Sequence, residues 1–164
     1  MTREPVGWDV DSPVQAEVFV IWLDGDRIRL TGPDGPQAWH LQLGQTEHPV
    51  EVVERIVRDV VGPPLLVHST SWRRDREAVI LSFVVVVAPE SVGSMASVPI
   101  GRAELVRSEA TAAPRDIAVE AVIEHGIRHL AWLAEDDPVV ADTLPPAWRP
   151  ILARYVPEPF RALG

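Results

Sequence analysis

The side chains able to do chemistry in this chain fall into three groups. Glu47, Arg55 and Asp59 occupy one short stretch, Arg73, Arg74 and Arg76 follow Trp72 in another, and His125 and His129 stand four residues apart in a third. Paired carboxylates can hold a hard cation such as Mg²⁺, which offsets charge on a departing diphosphate. Buried together, they can instead raise the pKa of one member enough for general-base work. Arginines next to an indole can grip a phosphate while a base stacks on the ring. Histidines at i and i+4 on a helix share a side and can ligate zinc.

Each group also has a plainer reading. Glu47 can simply face the positive end of the helix that follows it. Arg73, Arg74 and Arg76 read as the solvated tip of a hairpin. His125 and His129 lie in the segment HGIRH, with Gly126 where a zinc protease needs glutamate, so solvated or core-edge histidines are the preferred reading. The acids Glu135, Asp136 and Asp137 suit the end of one helix and the cap of the next. No G-x-S-x-G elbow surrounds a serine, and no glycine-rich phosphate loop is present, which sets those enzyme classes aside.

The elements that position these groups follow from periodicity and turn chemistry. Strands are expected over 16–23 and 27–30, joined at Asp24, Gly25 and Asp26 as a hairpin, with a third strand over 38–43. A helix over 49–61 opens on His48 and Pro49, with Val50, Val53, Val57, Val60 and Val61 as its core stripe and Val52 and Ile56 extending the apolar side. Gly62 caps it and two prolines follow. Strands over 65–72 and 78–88 come next, connected through Arg73, Arg74, Asp75 and Arg76. The valines at 84–87 predict a strand buried on both faces. Beyond a loop over 89–97 and a strand over 103–107, a long helix over 117–134 carries Val119, Val122, Ile123, Ile127, Leu130, Leu133 and Ala134 inward. Short helices from Pro138 and over 146–155 end the chain. Trp132 and Trp148, with Ile151, Leu152, Tyr155 and Phe160, either anchor this segment across the sheet or join two subunits.

The stretch over 39–62, WHLQLGQTEHPVEVVERIVRDVVG, resembles the signature segment of the Nudix hydrolases, a strand, loop and helix that binds divalent metal beside a diphosphate. Glu47 stands at the family's first glutamate, Arg55 at its arginine and Gly62 at its closing glycine, and Pro49 is common there. The departures are as telling. The family's loop glycines fall on His40 and Leu41, and of its three helical glutamates only Asp59 persists, shortened. Ile56 and Val60 have no oxygen to offer a metal. The resemblance therefore implies a Nudix-like fold without efficient hydrolase activity, in which Arg55 ties down the preceding loop. Ile56 and Val60 either line a pocket or pack against the long C-terminal helix, and the second is the preferred reading. It implies a ligand cleft at Glu47, Arg55, Asp59, Trp72, Arg73, Arg74 and Arg76, with a nucleotide-like small molecule the first class to try. No cofactor and no bound metal are expected. The rival is a divergent hydrolase of nucleoside diphosphate derivatives that takes Mg²⁺ or Mn²⁺ through Glu47, Asp59 and a further acid such as Glu51 or Glu104.

Composition narrows the field further. The chain has 164 residues, 46% hydrophobic and 24% charged, which suits one domain spanning 1–164: an N-terminal arm over 1–14 pinned by Trp8 and Val10, a sheet and helix over 15–110, and packed helices over 115–164. All 15 basic residues are arginine, and lysine, asparagine and cysteine are absent, the mark of a GC-rich bacterial genome and, without disulfides, of the cytoplasm. The longest apolar run, over 79–88, is strand length and broken by Ser82, so no membrane span is expected. A net charge of -9 argues against nucleic acid as partner. The expected fold is an α/β (α+β) sandwich, a mixed sheet flanked by helices with a helical C-terminal segment. The expected protein is a binding or interaction module, as a homodimer or through another partner.

Overall fold

The computed structural model describes residues 12–102 and 118–157. The expected arm with Trp8 and Val10, the strand over 103–107 with Glu104, and Phe160 lie outside the described residues.

One long strand, β1 (Val14–Asp24), is the spine of a six-stranded mixed sheet. Along one edge it pairs in parallel with β5 (Ala78–Val86), from Val14 opposite Val79 to Ile21 opposite Val86. Along the other edge two short antiparallel strands lie end to end. β3 (Trp39–Leu43) takes the first half of β1 and β2 (Arg27–Thr31) the second. Strand β4 (Leu66–Asp75) forms the border beyond β5, and β6 (Ser97–Pro99) the border beyond β2. The tight β1–β2 turn rests on Gly25 at φ +60°, a conformation glycine adopts without penalty.

Because successive strand residues point to opposite faces, β1 and β5 feed two separate cores. Ala16, Val18, Val20, Phe83, Val85 and Val87 meet helix α1 (Pro49–Val60) on one side. Phe19, Ile21, Leu23, Val84 and Val86 meet α3 (Val119–Asp136), α4 (Pro138–Thr143) and α5 (Trp148–Leu152) on the other. The valines at 84–87 are each no more than 1% exposed, the double burial their run predicted. The layout is a sheet with helices on both faces. Among the described residues no helix is long and apolar enough to cross a membrane.

Several expected boundaries shift. Helix α1 buries Val52, Val53 and Val57, with Val61 just beyond it, whereas Val60 is 50% exposed; in the last turn burial passes to Val57 and Val61 and leaves Val60 on an open flank. Gly62, at φ +135°, sends its N–H back to Val57 O and ends the helix as anticipated. The expected loop over 89–97 contains a one-turn helix, α2 (Pro89–Val92), before β6. Val119, expected to point inward, is 47% exposed at the start of α3. Asp137 caps α4 by accepting the Val139 N–H at 2.8 Å. Trp148, Ile151, Leu152 and Tyr155 are all buried in the α3 core and tie the C-terminal segment to that face of the sheet.

Candidate functional site

The loop between β3 and α1 is built around Glu47. Its Oε2 accepts the Gly44 N–H at 2.8 Å, and its own N–H donates to Gly44 O at 3.2 Å, closing the loop on itself. Arg55 Nη2 stands 3.7 Å from Glu47 Oε1, both groups well exposed, so the contact orients more than it stabilises. No side chain caps the start of α1, and Pro49 removes a donor that would have had no partner there.

Asp59 is exposed near the end of α1, one helical turn beyond Arg55. Among the described residues no group of three His, Asp or Glu side chains converges as a metal site needs. Ile56 and Val60 bring no oxygen to a cation beside Glu47. Ile56 is half-buried beside the α1 core and Val60 is half exposed. The expectation that they pack against the long C-terminal helix is wrong, because α3 lies across the sheet on the opposite face. Helix α1, in the connection between the parallel strands β1 and β5, covers one face, and α3, which follows β5, covers the other.

The arginine cluster is divided by the strand it sits on. β4 continues through Asp75, so only Arg76, at φ +54°, and Glu77 make the turn. An irregularity between Ser69 and Ser71 sets which side each later residue faces. Trp72, opposite Leu81, projects on the α1 side and is 60% exposed. Arg73 points to the other side, where it makes a two-pronged pair with Glu17 and also donates to Ser82 Oγ at 3.1 Å. Ser82 Oγ in turn donates to Glu17 Oε2 at 3.2 Å. Arg73 is therefore not a ligand clamp beside Trp72. Arg74 remains available on the Trp72 side, its Nη2 donating to Ser12 Oγ at 3.2 Å. It stands level with Val79 and Val14, at the end of the sheet where Leu43 leads into the Glu47 loop. Leu43, which leads into the Glu47 loop, and Arg74 thus lie at one end of the sheet, three strand spacings or about 14 Å apart, and Trp72 and Arg74 project on the face that α1 covers.

On the opposite face His129 is buried and stacks on His68, with ring centroids 4.9 Å apart, and on Trp132 at 5.6 Å. Parallel rings present faces rather than lone pairs to each other, which is packing geometry, not zinc ligation. Burial, and then the neighbouring His129, lower the His68 pKa from 6.5 to about 4. Gly126 is explained by packing: a Cβ there would meet Val84 Cγ2 at 2.7 Å.

Two buried acids escaped the sequence reading. Glu17 interrupts the apolar strand AEVFVIWL, and Glu124 lies beside Ile123 and Ile127 on the inward side of α3. A charge inside an apolar pattern demands a partner, and that signal was present. Glu124 is gripped by Arg102 Nε and Nη2 at 3.2 and 3.1 Å and by Arg128 Nε at 3.0 Å. Arg102 also lies 4.0 Å over the Tyr155 ring and donates to Arg154 O, joining the end of β6 to α3 and the last turn. No protein-family model matches the chain, and a search of curated proteins finds no match.

Proposed function

We propose that this chain is a Nudix-like sandwich that binds a ligand or partner without hydrolysing it efficiently. One observation carries this reading: where metal chemistry would need carboxylates on α1, the chain places Ile56 and the half-exposed Val60, while Glu47 is engaged with its own loop. The ligand face is the end of the sheet that holds Arg55, Trp72 and Arg74. An exposed indole with arginines on one face suits a nucleotide-like molecule, with a ring to stack and phosphates to neutralise. The compartment that fits the composition is a bacterial cytoplasm.

The test is a panel of nucleoside triphosphates, nucleotide sugars and dinucleoside polyphosphates, incubated with Mg²⁺ or Mn²⁺ and with Glu47→Gln as control. No turnover above the control, together with a thermal shift from nucleotide alone, is the expected result. Turnover that Glu47→Gln abolishes replaces this reading with a divergent hydrolase. If no nucleotide shifts the melting temperature, the binding role moves to a protein partner, and sedimentation shows whether that partner is a second copy.

A further inference from the structure

We infer that the outer edge of β4 pairs with the same edge of a second copy of this chain, centred on Arg73, so that each Trp72 stands opposite the other copy's Arg74. β4 is the longest open border of the sheet, with ten residues against five in β3 and three in β6. Among the described residues its strand partner is β5 alone, so its outer side presents unpaired N–H and C=O groups that a further strand can take up. β6 resists such pairing, being short and closed by Pro99. The first half of β4 is a poor template, because the irregularity between Ser69 and Ser71 breaks its pleat and Thr70 turns in towards Gly126. From Ser71 to Asp75 the ladder to β5 is regular, residue against residue. This run carries Trp72, the one aromatic among the exposed large apolar side chains of the described residues. Arg74, two residues on and on the same face, is also exposed and donates to Ser12 Oγ.

Charge and shape select both the occupant and the register. Residues directly opposite in an antiparallel pair share a face and touch, and a twofold axis makes each contact occur twice. Centring the pair on Trp72 would set Arg74 against the inturned Thr70. Centring it on Arg74 would set guanidinium against guanidinium and Trp72 against Arg76, which lies in the turn at φ +54°. Centring it on Arg73 sets each indole against a guanidinium, giving two cation–π contacts, and sets Ser71 against Asp75. The two Arg73 side chains that then meet on the α3 side each carry a Glu17 carboxylate, so no net charge is brought together. The edge is complementary to itself, which favours a second copy over an unrelated strand. The pairing engages backbone groups along β4 and does not depend on nucleotide binding.

A short run of paired residues on each side makes a small interface, so the dimer is expected to be reversible, with a Kd of about 10–100 µM. Sedimentation of the full chain without nucleotide, from about 1 µM to about 500 µM, should show the mass rise from one copy towards two. Trp72→Ala and Arg74→Ala should each weaken association about tenfold, and the double variant by no more, since either change removes both contacts. The chain has no cysteine, so Ser71→Cys with Asp75→Cys reads the register: oxidation should give a covalent dimer, and either cysteine alone should give none. Within one copy the two positions are four residues or about 13 Å apart, too far to bridge. The proposal is overturned if the chain stays monomeric throughout that range, or if it dimerises without regard to Trp72 and Arg74. It is equally overturned if the paired cysteines cross-link no better than the single ones, because another surface then joins the copies.

Discussion

Arg73 closes on Glu17 with both terminal nitrogens, Nη1 to Oε2 at 2.7 Å and Nη2 to Oε1 at 3.0 Å. Glu17 is 2% exposed and lies on the same side of β1 as Phe19 and Ile21. Removing one partner leaves the other's charge buried, whereas removing both removes the problem. Arg73→Met is expected to cost about 3 kcal/mol in urea unfolding, and Glu17→Leu with Arg73→Met to recover most of it. The single variant should leave any nucleotide-induced thermal shift unchanged in size. A shift that disappears would return Arg73 to the ligand site.

The open flank of α1 makes a second expectation. Ile56→Glu with Val60→Glu places two carboxylates where one side chain is half-buried and the other half exposed, so the chain should fold with a loss of only about 1–2 kcal/mol. Val53→Glu or Val57→Glu, at positions without exposure, should unfold it. Circular dichroism separates these outcomes. A Mn²⁺ titration of the folded double variant then reads metal affinity, which should exceed that of the parent chain.

Stability should fall with acid through His68. Its folded pKa, about 4, is below the unfolded value of 6.5, so the unfolded chain takes up the proton first. The neutral ring's contribution is complete above pH 6.5 and declines as pH falls from 6.5 towards 4. The slope stays below the ceiling of about 1.4 kcal/mol per pH unit, because the ring keeps some access to water. Urea midpoints at pH 7 and pH 5 measure it, and His68→Phe should flatten the difference relative to the parent.

Gly126→Ala offers a test of close packing. In an isolated helix the change would stabilise by about 1 kcal/mol. Here the new methyl meets Val84 Cγ2, and overpacking of this kind costs about 1–3 kcal/mol, so a net loss is expected. Thermal unfolding should show it, and Val84→Ala in the same chain should relieve part of it.

Local pattern made much of this architecture legible. The Asp-Gly turn, the proline-opened and glycine-closed α1, and the double burial of the valines at 84–87 all follow from short-range rules. What escaped depends on long-range geometry. Trp72, Arg73 and Arg74 look like one basic patch in sequence, yet a pleated strand sends alternate residues to opposite faces, and the irregularity between Ser69 and Ser71 decides which face each takes. Val60 satisfies the helical period and is still half exposed, because period fixes a direction but not where the covering sheet ends. The His68–His129 stack joins residues far apart in sequence, and nothing near either one announces the other. Glu17 and Glu124 were readable as misplaced charges, although their arginine partners were not.

The parallel pairing of β1 with β5 fixes the order in which the molecule can be made. Val14 finds Val79, and Ile21 finds Val86, only after everything between them has left the ribosome. Until then β1, β2, β3 and α1 have half their apolar faces and no central neighbour, since both cores draw on β5. The first half of the chain is consequently a client for protection during synthesis, and truncation just after Gly62 should give an aggregating fragment instead of a smaller folded one.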